Sequence, residues 1–215
     1  MNLTEALAAK LADNRSHLSD DVQAVMEQAT VDLQQSGVAN RALDVGNVIP
    51  AFSLPNALDK AISNGDLLAA GPLVISFYRG GWCPYCNLEL RALQAALPEI
   101  QAMGATLVAI SPETPDNSLS TVEKQELTFE VLSDQGNRLA RQFGLVFTLP
   151  ESLRPIYTAF GIDLPARNGD ATFELPLPAT YVVNPDGTIV HSFVDVDYTQ
   201  RLAPEAIVAA LKQLQ

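Results

Sequence analysis

Phe77-Tyr78-Arg79-Gly80-Gly81-Trp82-Cys83-Pro84-Tyr85-Cys86-Asn87-Leu88-Glu89 places a strand end, a turn and a helix start in immediate succession. The run Leu73-Val74-Ile75-Ser76 leads into it, apolar and β-branched, and reads as a buried strand that leaves the sheet through two glycines. Cys83-Pro84-Tyr85-Cys86 then opens a helix, with proline in its favoured first-turn place. The first thiol lies at the helix N-terminus, where unpaired N–H groups and the positive end of the dipole favour a thiolate. The second lies one turn along the same helix, close enough to close a disulfide, so the pair can cycle between dithiol and disulfide with little movement.

Cys83 and Cys86 are the only cysteines of the chain. A C-x-x-C in a reducing compartment points to redox chemistry or metal before it points to a staple. Zinc needs four ligands, and beyond the pair there are only His17 and His191, neither at ligand spacing, so no metal and no cofactor is expected. A structural disulfide across two intervening residues closes a tiny loop and stabilises little. Two inert buried cysteines would leave unexplained why strand, Gly80-Gly81, Trp82 and helix start all coincide with the pair. Redox function carried by Cys83 and Cys86 is the expectation.

Outward from this centre, Thr106-Leu107-Val108-Ala109-Ile110 and Phe129-Glu130-Val131-Leu132 read as further strands. Thr180-Tyr181-Val182-Val183 and Thr188-Ile189-Val190-His191-Ser192-Phe193 read as a hairpin closed by Asn184-Pro185-Asp186-Gly187. Helical stretches fall at about 84–102, 115–126 and 134–143, with a last one starting at Pro204. Strands alternating with helices, then a hairpin, then a helix, predict an α/β fold with a mixed sheet covered on both faces. Residues 145–177 are the least patterned, with a short helix expected at about 152–160 and a loop at Gly169-Asp170.

Ahead of this region lies an arm at 1–40, read as two helices over about 3–15 and 20–35, the second capped by Ser19, with the domain itself at 41–215. The apolar stripe of the arm serves either packing on the chain's own core or a homodimer contact. Hydrophobic residues at 47% and charged ones at 18% suit a folded globular chain and exclude a disordered or fibrous one. The formal charge of −12 repels phosphate backbones and anionic lipid, so neither nucleic acid nor membrane is an expected partner. Met1 to Leu18 mixes Glu5, Lys10, Asp13 and Arg15 among apolar residues, unlike a secretory signal, and a cytoplasmic location is expected.

With these pieces in place the chain resembles the alkyl hydroperoxide reductase and thiol-specific antioxidant family, the peroxiredoxins and peroxiredoxin-like proteins, which have a thioredoxin-like fold. The resemblance runs from about Gly46 to Leu214. It rests on Gly46-Asn47-Val48-Ile49-Pro50-Ala51-Phe52, the Phe77-Tyr78 strand end, Leu132-Ser133-Asp134 with Arg141-Gln142-Phe143-Gly144, and the Asn184-Pro185-Asp186-Gly187 turn, in that order. Laid on the family pattern, Arg79 takes the place of a proline, Cys83 that of a threonine, Cys86 that of the peroxidatic cysteine, and Glu89 matches. The place of the family's later active-site arginine is Pro178, where thioredoxins carry a cis-proline facing their C-x-x-C. The resemblance therefore implies a peroxiredoxin outline with a thioredoxin-type site and a cis Leu177–Pro178 bond beside the cysteines.

Peroxide reduction needs donors for the developing negative charge, and neither Cys83 nor Pro178 supplies the donor that the family has there. Arg79 either compensates, lowering a thiol pKa, or is a solvated strand-end arginine. Trp82, Tyr85 and Pro178 join Arg79 as expected supporting residues. His191 reads as a core histidine, and Asp195, Asp197 and Arg201 read as a surface or structural ion-pair cluster. Three functions stay open: a dithiol/disulfide oxidoreductase with Cys83 attacking, a thiol peroxidase with Cys86 attacking and Cys83 resolving, and a non-catalytic redox sensor. The expected substrate is a small-molecule hydroperoxide or a protein disulfide, and the expected reductant is of thioredoxin or glutathione type.

Overall fold

The structure, a computed structural model, describes residues 2–214. Helix α1 (Leu3–His17) opens on a reciprocal cap, in which the Asn2 side chain accepts from the Glu5 amide and the Glu5 carboxylate accepts from the Asn2 amide. Helix α2 (Asp20–Gln35) opens on Ser19, and Gly37, in the left-handed region, turns the chain into a short 3-10 turn. Then follow β1 (Ser53–Pro55), β2 (Ala61–Ser63), α3 (Asn64–Ala70), β3 (Leu73–Phe77), α4 (Pro84–Ala102), β4 (Thr106–Ser111), α5 (Pro115–Gln125) and β5 (Glu130–Ser133). The chain continues through α6 (Arg138–Gln142), β6 (Val146–Thr148), α7 (Arg154–Ala159), α8 (Leu164–Asn168), β7 (Glu174–Pro176), β8 (Ala179–Val183), β9 (Ile189–Val194) and α9 (Pro204–Lys212).

The main sheet has the order β5-β4-β3-β8-β9. The first three strands are parallel, while β8 and β9 run antiparallel to their neighbours, so the sheet is mixed as expected. Every residue of β3 and β8 is buried, which is why these strands are continuously apolar rather than alternating. One face packs Val74 and Val182 against α4 and α9, and the other packs Ile75, Phe77 and Tyr181 against Phe143 and Leu139. In the β8–β9 turn Gly187 takes a φ of +87° and donates to the Asn184 carbonyl at 2.8 Å.

The arm packs on its own chain. Leu3 and Leu7 of α1 enter the apolar cluster of α4, and Ala29 of α2 packs with Leu149, Leu153 and Tyr157. Among the described residues no helix is long and apolar enough to cross a membrane.

Three local expectations change. The helix predicted at 134–143 is only Arg138–Gln142, because the Asp134 carboxylate turns back to accept from the Leu139 and Ala140 amides at 3.0 and 2.8 Å. Residues 145–177 hold the short helix expected at about 152–160, as a 3-10 turn (Glu151–Leu153) and α7, and add the unexpected α8 and antiparallel pair β6–β7 around them. The Leu177–Pro178 bond is trans, like every other described peptide bond, which removes the cis-proline expectation. The physical reason is that the segment is extended rather than turned: Leu177 donates to the Leu145 carbonyl at 2.9 Å and the Pro178 carbonyl accepts from Asp195 at 3.4 Å, so β7 runs straight into β8.

Candidate active site

The site is built where β3 hands over to α4. Gly80 has a φ of +146°, and a Cβ there would overlap Trp82 Nε1, while one on Gly81 would overlap Thr121 Oγ1. Only glycine lets the loop pass this close, and the Cys83 amide then donates to the Gly80 carbonyl at 3.1 Å. Cys83 is the N-cap of α4, Pro84 occupies its first turn, and Asn87 steadies the entry by donating to the Gly81 carbonyl at 2.9 Å. Wholly buried Glu113 accepts from the Gly81 amide at 2.8 Å, and burial raises its carboxyl pKa.

Cys83 and Cys86 are both free and buried, and approach to 3.3 Å. Each sulfur meets its own guanidinium: Arg79 Nη1 lies 3.8 Å from Cys83 Sγ, and Arg201 Nη2 lies 2.9 Å from Cys86 Sγ. The two arginines are differently placed. Arg201 donates through Nε to Glu89 Oε2 at 2.5 Å and through Nη1 to the carbonyls of Tyr198 and Gln200 at 2.8 and 2.6 Å. Arg79 is 3% exposed and, among the described residues, pairs with no carboxylate. It donates to the Tyr157 hydroxyl and lies between the rings of Trp82, Tyr198 and Tyr157 at 4.9, 4.7 and 5.8 Å.

That difference orders the thiols. Burial pushes the Cys83 thiol up, but the hydrogen bond with Cys86 and then the charges of Arg79 and Arg201 outweigh it and hold Cys83 well below its ordinary value. Burial, followed by the hydrogen bond with Cys83 and its charge, pushes Cys86 well above the ordinary value, against the pull of Arg201. The nearer guanidinium thus sits beside the thiol of higher pKa, because two sulfurs in mutual contact cannot both ionise cheaply and the Cys83 thiolate holds the proton on Cys86. Burial also raises the Glu89 carboxyl, with Arg201 opposing.

Among the residues singled out from sequence, Arg79 is buried against Cys83 rather than solvated at a strand end. Trp82 stacks edge-on with Tyr157, and the Tyr85 hydroxyl accepts from Asn14 of α1 at 3.1 Å. The surface ion-pair reading of Arg201 is overturned. It is buried and bonded to Glu89 and Cys86, while Asp197 caps Thr199 and Asp195 accepts from the Asp197 amide, both at 2.9 Å or less. The reason is a loop that tucks inward after β9 and lets Arg201 meet a carboxylate on α4. Tyr157 and Tyr198, which the sequence reading missed, carry no signal beyond being aromatics in unpatterned segments. His191 is half-buried on β9, His17 lies exposed on α1, and neither hydrogen-bonds a cysteine. Among the described residues no three His, Cys, Asp or Glu side chains gather as metal ligands.

Two cavities lie beside residues that surround the pair, and neither is lined by a cysteine itself. The larger, about 740 Å³, is lined by Trp82, Pro84 and Tyr85 on one side and by α1 and α2 on the other. The smaller, about 220 Å³, has Arg79, Tyr157 and Pro178 in its wall.

The AhpC/TSA family pattern matches residues 45–192, more than half of the chain. A Haemophilus influenzae protein provisionally named peroxiredoxin bcp is 35% identical over 103 residues, covering 48% of this chain and 66% of that protein. The chloroplastic peroxiredoxin Q of Gentiana triflora is 29% identical over 171 residues, covering 79% and 66% respectively. The chain thus spans just under two thirds of the length of these curated relatives. The crystal structure of peroxidoxin BcpB from Mycobacterium tuberculosis superposes with a TM-score of 0.64 at 20% identity, covering 80% of this chain and 99% of that one, a likeness of fold.

Proposed function

This chain belongs to the AhpC/TSA family, and from that premise we propose that it is a thiol-dependent peroxidase cycling Cys83 and Cys86 between dithiol and disulfide. The Cys83 thiolate attacks the terminal oxygen of a hydroperoxide. An S–O bond forms, the O–O bond breaks, and the departing alkoxide takes a proton to leave as the alcohol. Cys86 then loses its proton and attacks the Cys83 sulfur, so that the S–S bond forms and the sulfenic oxygen leaves as water. An external reductant, either a thioredoxin-type dithiol or two molecules of glutathione, restores the dithiol pair and is itself oxidised to a disulfide. Arg79 is the donor for the charge that develops on the leaving oxygen.

The observation that carries this reading is a buried guanidinium with no carboxylate, 3.8 Å from one of two thiols in mutual contact. A hydroperoxide is favoured over a protein disulfide because the Leu177 amide and the Pro178 carbonyl are already bonded to Leu145 and Asp195 and are not free to pair with a substrate peptide. A second reading, with Cys86 attacking and Cys83 resolving, draws on Arg201 Nη2 at 2.9 Å from Cys86 and on the family position of that cysteine.

Single-turnover hydroperoxide consumption by the wild type, Cys83→Ser and Cys86→Ser separates these readings, with thioredoxin and glutathione recycling added in turn. Cys86→Ser is expected to consume one equivalent and stop at a sulfenic acid that dimedone traps, while Cys83→Ser consumes none. The reverse pattern assigns attack to Cys86, and no consumption by the wild type with either reductant overturns the peroxidase.

A further inference from the structure

The family match begins at residue 45, so α1 and α2 lie outside it, yet they roof the site. Met26 and Thr30 of α2, with Tyr198, line both cavities, so the two adjoin at this neck. The inner one is walled by Ala29, Leu33, Leu149, Leu153 and Leu177, with the Arg79 guanidinium as its one cation. A mainly apolar chamber whose charged lining is Arg79 and Asp32, with Arg79 Nη1 3.8 Å from Cys83 Sγ, suits a molecule that is apolar at one end and carries a polar acceptor at the other.

We propose that the arm is the specificity element of this site: with the loop that follows β6 it forms a chamber for the organic group of the hydroperoxide, with Met26 and Thr30 setting what can enter. The assignment rests on the peroxidase reading. The R group lies among Ala29, Leu33 and Leu153, and the peroxide oxygens lie toward the Arg79 side chain, whose Nη1 is 3.8 Å from Cys83 Sγ. A volume of about 220 Å³, roughly seven waters at ~30 Å³ each, takes a phenyl or short branched alkyl group and excludes a polypeptide. Hydrogen peroxide leaves the chamber wall unused, so discrimination between the two substrates lies in α2.

The test compares cumene hydroperoxide with hydrogen peroxide for the wild type, Thr30→Phe and Met26→Phe, two independent ways of narrowing the neck at half-exposed positions of α2. The ratio of the two kcat/KM values is expected to fall about tenfold or more in each folded variant. A ratio within about twofold of wild type in a variant whose circular dichroism is native overturns the proposal. Trp82 is the chain's only tryptophan and lines the outer cavity, so its fluorescence reports binding of cumyl alcohol, the unreactive product, without turnover. A saturable change that weakens in the two variants supports the chamber, and no saturable change in the wild type refutes it. Should the wild type reduce neither hydroperoxide, the peroxidase reading falls, and cumyl alcohol binding alone judges the chamber.

Discussion

Replacing Arg79 by methionine separates the chemistry of Cys83 from the stability of the fold. Methionine keeps most of the volume and removes the charge. At 3.8 Å and an effective dielectric of about 20, a guanidinium and a thiolate attract by about 4 kcal/mol. Loss of only half of that, about 2 kcal/mol, lowers the thiolate-to-thiol ratio of Cys83 about thirtyfold. Stability moves much less. The three ring contacts contribute about 0.5–2 kcal/mol each, and they are offset by the several kcal/mol it costs to hold a cation out of water with no carboxylate beside it. Arg79→Met is therefore expected to unfold in urea within about 2 kcal/mol of wild type while the pH midpoint of its Cys83 alkylation, followed from about pH 4 to 10, rises by more than about one unit. Iodoacetamide labelling followed by peptide mapping reads both cysteines at once. Equal Cys83 labelling in the two proteins, or faster labelling of Cys86 than of Cys83 in the wild type, refutes the assignment of Arg79 as the partner of an acidic Cys83.

Mild oxidation should lower the intact mass by about two hydrogens and leave no free thiol, whereas a covalent dimer would count against an internal Cys83–Cys86 bond. The reduced protein should be most stable at about pH 9 as far as this pair is concerned. The depressed Cys83 contributes stability that is full above the ordinary thiol value of 9.0 and is lost as pH falls through its folded value, while the raised Cys86 contributes stability present below 9.0 and lost as pH rises through its own folded value. Urea melts from pH 6 to 10 under reductant check this, with Cys83→Ser expected to lose the acid-side slope and an unchanged slope deciding against it. Glu89→Gln strips Arg201 of its carboxylate and should cost about 3–5 kcal/mol in urea, while Glu89→Leu with Arg201→Met should cost less than either single change. Additive losses in that pair would show that the two side chains act independently.

The parts of the fold that could be read in the sequence are those with a period. Leu73–Phe77 and the Asn184-Pro185-Asp186-Gly187 turn lie where the apolar run and the turn residues put them. Pro84 and Ser19 mark true helix starts. In residues 145–177 the short helix at about 152–160 and the Gly169-Asp170 loop could be read, but β6 and β7 could not, being three residues each, too short to show alternation, and pairing across the helices between them. The site divides in the same way. The cysteines and Arg79 are local in sequence, but Arg201 meets Glu89 and Cys86 across separations of 112 and 115 residues, and its neighbours Asp195 and Asp197 suggested the wrong partners. Pro178 misled for a different reason. A proline before a strand fits both a locked turn and an extended entry, and the amide of Leu177, bonded to Leu145, selects the second.

The segment shared with the family, 45–192, stops short of both covers of α4. Leu3 and Leu7 from α1, and Ile207 and Leu211 from α9, complete the same apolar cluster that holds Cys83, Cys86, Leu90 and Leu93. The apolar surroundings of the thiols thus include stretches outside the matched segment 45–192. Transplanting Trp82-Cys83-Pro84-Tyr85-Cys86 into another member would carry the sulfurs but not the walls that keep them dry. A fragment cut at the borders of the resemblance would expose the apolar side of its own reactive helix. In this chain the heritable unit of the chemistry is larger than the segment by which its kinship is recognised.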